Sequence, residues 1–137
     1  MAAPNLLSPT TINGKTVTVD LSSTSATSIL SNAASSGKVL KVNSLYVANV
    51  DGTSNAEITI NYYSAAALGG TATQIASTVV VPADATLVVI DKDAYIYLEE
   101  NTSLGATAGT ASENTSLGAT AGTASDLKVI CSYEDIS

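Results

Sequence analysis

Apolar and polar positions alternate along residues 38–63, KVLKVNSLYVANVDGTSNAEITINYY, and this stretch organises the reading of the chain. Its second arm is regular. Ala56, Ile58, Ile60 and Tyr62 fall on one side, and Glu57, Thr59, Asn61 and Tyr63 on the other. A period of two with one apolar face is the mark of a strand that covers a core and meets water. The first arm is more continuously apolar at Leu45, Tyr46, Val47 and Ala48, as a central strand would be. Between the arms lies Asp51-Gly52-Thr53-Ser54-Asn55, a cluster of turn formers. The pattern predicts a β-hairpin at the middle of an all-β domain.

The rest of the chain carries similar signals. Asn13-Gly14 predicts a second hairpin, flanked by residues 10–12 and by the alternating 15–20. Residues 26–32 read as a short strand followed by a turn ending at Gly37, with a short helix over 25–34 as the rival. A loop with a Gly69-Gly70 break spans 64–73. Residues 74–81 form a strand ended by Pro82, which cannot donate to a ladder. Further strands follow over 86–90 and 94–99, the second with Ile96 and Leu98 inward and Tyr95, Tyr97 and Glu99 outward. A closing strand covers 126–136, with Leu127, Val129, Cys131 and Tyr133 on one face. About eight short antiparallel strands with turn signals between them predict a single β-sandwich or jelly-roll-like domain over 10–137, preceded by a flexible arm at 1–9.

Residues 100–112, ENTSLGATAGTAS, recur unchanged as 113–125. No other part of the chain repeats at that period, so this is a single duplication rather than a solenoid. One copy suffices for one strand. The shorter connection predicts that 116–121 pairs with 127–133, leaving 102–112 as a surface excursion or an added hairpin. Because the copies are identical, they could also exchange for one position.

Composition narrows the function classes. The chain has 137 residues, 45% of them hydrophobic and 12% charged, about half the usual charged share. Its net charge is −7, from 12 acids and five lysines, with neither arginine nor histidine. That sign opposes binding to nucleic acid or to an anionic membrane. The N-terminus has no basic start and no long apolar run, so no signal peptide or membrane span is expected, and synthesis in a host cytoplasm follows.

The chemical inventory is short. Without histidine there is no Ser-His-Asp or Cys-His arrangement and no histidine metal site. Cys131 is the single cysteine, excludes an intrachain disulfide, and reads as a buried inert thiol. Asp91 and Asp93 bracket a turn and could hold calcium with Asp84, although solvated turn acids are the commoner case. Glu99 and Glu100 are adjacent on a strand and point to opposite faces, which does not suit a glycosidase pair. Asn101-Thr102-Ser103 and its copy match the glycosylation sequon, a match without weight in the absence of a secretion signal. No enzyme activity, metal or cofactor is expected. The candidates for contact are Tyr62, Tyr63, Tyr95 and Tyr97, since tyrosine joins a large apolar area to a polar tip; capping of the sheet edges and the core rim is the alternative reading of equal weight. Leu6 and Leu7 in the arm are further candidates.

Through NSLYVANVDGTSNAEITI, VVVPADATLVVIDKDAYIYLEE and DLKVICSYEDIS, the chain resembles small virion proteins of tailed bacteriophages, especially those of marine cyanophages. The resemblance covers most of 38–137. It rests on phrasing rather than on a catalytic motif, and the duplication departs from it. It implies a non-enzymatic structural protein of the virion, a head decoration (cement) protein on the capsid surface. The implied partners are the major capsid protein or another virion protein, and other copies of this chain, as a homo-oligomer with a trimer favoured. A neck, tail or fibre component is the alternative. A carbohydrate-binding β-sandwich using the four tyrosines is the alternative of another class.

Overall fold

The computed structural model describes residues 4–109 and 126–137. Among the described residues, nine strands form two antiparallel sheets packed face to face, an all-β sandwich. The strands are β1 (Ile12–Asp20), β2 (Thr27–Asn32), β3 (Val39–Asn49), β4 (Ala56–Ala65), β5 (Gly69–Val81), β6 (Thr86–Ile90), β7 (Ile96–Leu98), β8 (Thr102–Ala108) and β9 (Leu127–Ile136). The first sheet has the order β1-β9-β3-β6, with β7 also pairing β3 beyond the end of β6. The second has the order β2-β8-β4-β5.

The core lies between the sheets and is made by the alternation read above. From β3 it takes Val42, Leu45 and Val47, from β4 Ile58 and Ile60, from β8 Leu104 and Ala106, and from β9 Val129 and Cys131. All nine are fully buried. Val42 and Leu45 are three residues apart, which a strict period of two would place on opposite faces. A register shift between Val42 and Ser44 against β9 resets the phase, so both reach the core.

The central stretch is not a hairpin. β3 lies in the first sheet and β4 in the second, so residues 50–55 form an arch that carries the chain across the sandwich. Asn49, the last residue of β3, is buried and holds this arch. Its Nδ2 donates to the carbonyls of Ser54 (2.9 Å) and Val81 (3.0 Å), and its Oδ1 accepts from Asp51 N (3.0 Å). Asn32, the last residue of β2, repeats the arrangement where the chain crosses into β3. Its Nδ2 donates to the carbonyls of Lys38 (2.9 Å) and Leu98 (3.1 Å), and its Oδ1 accepts from Ser36 Oγ (2.6 Å). Val81 ends β5 and Leu98 ends β7, both of which leave for the other sheet. Two buried amides therefore clamp four crossings.

Three further sequence expectations are corrected. Asn13-Gly14 makes no turn, because residues 12–20 run straight as β1 and pair with β9 from Ile12↔Ile136 to Asp20↔Lys128. Nine residue pairs outweigh one local turn preference. The loop expected over 64–73 shrinks to a tight turn at 66–68, and β5 already begins at Gly69. Ala67 (φ 53°) and Leu68 (φ 61°) take the left-handed conformation there. The first copy of the repeat is not a surface excursion: β8 lies between β2 and β4, with residues 102–106 buried. The second copy lies outside the described residues, and both edges of β9 are occupied by β1 and β3. The strand expected over 26–32 and the strands ending at Pro82 and flanking Asp91 agree with the structure.

Asn49→Ala would leave the Ser54 and Val81 carbonyls without their donor inside the fold. The expected loss is about 2–3 kcal/mol, the cost of stranding buried polar groups. Chemical denaturation of the variant against the parent chain measures it.

Candidate interaction surface

The buried core residues occupy the inward faces of the sheets, and the outside of the sandwich is the exposed surface of the described residues. Cross-strand register on the first sheet builds two rows there. In one, Val88 of β6 lies beside Tyr46 of β3, then Ile130 of β9 and Thr18 of β1. Val88 is 60% exposed. In the other, Tyr97 of β7 lies beside Lys41, then Glu134 and Gly14. Ser44, Ser132 and Thr16 separate the rows, with Thr16 and Ser132 hydroxyls 3.1 Å apart.

Tyr95 and Tyr97 meet edge to face with centroids 5.6 Å apart and planes at 79°. Both are exposed. Lys41 Nζ sits 4.9 Å from the Tyr95 centroid and 3.7 Å from Glu134 Oε2. The cation is thereby shared between a ring face and a carboxylate. Sequence reasoning singled out the two tyrosines but missed Val88, because the run Leu87-Val88-Val89 reads as continuously apolar. In the structure Leu87 and Val89 pack on the core and Val88 points out.

The other candidate residues lie elsewhere. Tyr62 is on the inward face of β4 and packs against the core. Tyr63 faces outward yet is 9% exposed, because its ring lies over Gly105 of the neighbouring strand. A methyl group added at Gly105 would stand 3.0 Å from Tyr63 Cε2 and 2.6 Å from Leu68 Cδ2. Beside it, Asn61 Oδ1 is buried without a hydrogen-bond partner. Leu6 is half exposed and Leu7 almost fully exposed, in a turn where Asn5 accepts from Leu7 N and Ser8 N. That turn is tied down at its end, where Thr10 N and Thr11 N donate to the Ser137 carbonyl.

The titratable groups have structural settings. Asp91 caps the turn after β6, accepting from Asp93 N and Ala94 N. Glu100 accepts from Gly37 N at 2.6 Å. Among the described residues no group of three or more potential ligands converges as a metal site requires. Among them, too, no helix is long and apolar enough to cross a membrane. Asp135 is buried and bonded to Lys15 Nζ (2.7 Å) and Lys38 Nζ (3.1 Å). The hydrogen bond from Lys15 holds its carboxyl below the ordinary 3.8, against the opposing effect of burial. Burial alone pushes the Cys131 thiol up to about 12.

No family model matches this chain, and no curated protein matches it.

Two measurements follow from these settings. A depressed folded-state pKa adds stability above the unfolded value and loses it as pH falls through the folded value. Asp135→Asn should therefore lower the denaturation midpoint at pH 7 and flatten the fall in stability below pH 3.8, read by denaturant titration across that range. A thiol held near 12 and fully buried should not react with an aromatic disulfide reagent at pH 8 in the folded chain. One equivalent should react once denaturant is added, and absorbance reports both.

Proposed function

We propose that this chain is a non-enzymatic structural protein of a tailed-phage virion, seated on the capsid as a head decoration protein. The observation that carries the reading is the exposed outer face of the first sheet. There Tyr95 and Tyr97 present aromatic surface beside the Lys41–Glu134 pair, and Val88 adds exposed apolar surface in the neighbouring row beyond Ser44 and Ser132. Aromatic side chains beside a small number of oriented charges are the usual centre of a protein–protein contact. The sequence resemblance to small phage virion proteins supplies the partner class, the major capsid protein. The acidic composition, without arginine or histidine, fits attachment to the outside of a shell better than contact with packaged nucleic acid. Sugar stacking is less well served, since Lys41 occupies one face of Tyr95 and the rings meet edge to face.

The test is the number of copies per particle, by quantitative mass spectrometry of purified virions of the encoding phage against the major capsid protein. Decoration requires a lattice-scale ratio. Far fewer copies would move the chain to the neck or tail, and absence from particles would reject the virion reading. In the same assay Val88→Asp should leave the purified chain folded and sharply reduce its recovery on particles.

A further inference from the structure

β8 is built from the first of two identical thirteen-residue copies, and its requirements are exacting. Leu104 and Ala106 are fully buried in the core. Gly105 lies beneath the Tyr63 ring and Leu68, so that a side chain there would have to displace the end of Leu68 and press on the Tyr63 ring. Ser103 Oγ donates to the Ala65 carbonyl at 2.8 Å and accepts from Leu68 N at 3.0 Å. Ahead of the strand, Asn101 (φ 61°) accepts from Ala66 N, and Glu100 accepts from Gly37 N. Behind it, Gly109 N donates to the Glu57 carbonyl at 2.8 Å. Every one of these side chains recurs thirteen residues later in the same order, as Glu113, Asn114, Ser116, Leu117, Gly118, Ala119 and Gly122. Thr102 Oγ1 donates to the backbone carbonyl of Glu99, an acceptor that any residue supplies.

We propose that the β8 position is degenerate: residues 115–121 can fill it in place of 102–108, and the chain exchanges between two arrangements thirteen residues apart. The exchange removes no contact of the position itself, because the two occupants are the same sequence. It changes only how the connecting residues are shared out. With the first copy in place, the links from β7 and to β9 contain 3 and 18 residues; with the second they contain 16 and 5. Closure probability falls as the three-halves power of loop length, so the two distributions differ by only about twofold, in favour of the first copy. The five-residue link spans up to roughly 17 Å, more than the ~10 Å between packed sheets. Both ends of that link lie at the same end of the sandwich: Gly109 is bonded to Glu57, next to Ala56, which pairs with Val81, and Asp126 is bonded to Val50, next to Asn49.

The test uses the full chain with Leu104→Asp, Leu117→Asp, or both, followed by thermal unfolding and size-exclusion chromatography. A charge at the centre of the core cannot be accommodated in an occupied position. Each single variant should unfold cooperatively as a monomer with a midpoint within a few degrees of the unsubstituted chain, and the double variant should not fold. If Leu104→Asp fails to fold as the double variant does, while Leu117→Asp behaves like the unsubstituted chain, the position belongs to the first copy alone and the proposal is overturned. A Leu104→Asp chain that folds only as a dimer overturns exchange within one chain. A folded double variant shows that the position does not require leucine and removes the premise.

Discussion

Two buried asparagine side chains hold this sandwich in register. Asn32 and Asn49 each stand at the last position of a strand, where the chain must turn from one sheet into the other. A carboxamide can donate twice and accept through its oxygen, and both residues use that capacity on backbone and hydroxyl groups that the ladders leave over. Without them, the carbonyls that end β5 and β7 would face the interior without a donor. The apolar core drives the sheets together, but it is non-directional and would tolerate other pairings. The amides specify which strand ends meet.

A fold connected by crossings differs from one connected by hairpins. Among the described strands, β4 and β5 are the sequential neighbours that pair directly. Most other pairings join residues far apart in the chain, as β1 and β9 do, so closure entropy opposes folding until several contacts form together. The outer face of the first sheet carries the exposed Val88 and Tyr97.

Faces were legible in the sequence, and neighbours were not. A period of two says which residues look inward, and Ile58, Ile60, Ile96, Leu98, Val129 and Cys131 were read correctly from it. It says nothing about which strand lies alongside. Local turn chemistry then filled the gap and misled twice, at Asn13-Gly14 and at residues 51–55, where long-range pairing and the Asn49 clamp prevail. β8 was underrated for a related reason. Its Ser-Leu-Gly-Ala run carries little apolar bulk, yet small residues are what a strand needs when an aromatic ring and a leucine lie across it. Tyr95 and Tyr97 could be found because they alternate with buried residues. Val88 was hidden by two apolar neighbours that both face in.

The ends of the described chain are bound to one another. Thr11 and Ser137 exchange backbone hydrogen bonds, and Ile12 lies opposite Ile136 at the start of an antiparallel ladder. Tension applied between the two ends would therefore act across that ladder at its first rung and open it like a zip, each pair bearing the load in turn. Tension entering through the broad faces would instead meet whole ladders and the core at once. Load carried through the sheets of this protein would therefore be borne far better than load carried through the two ends of the described chain.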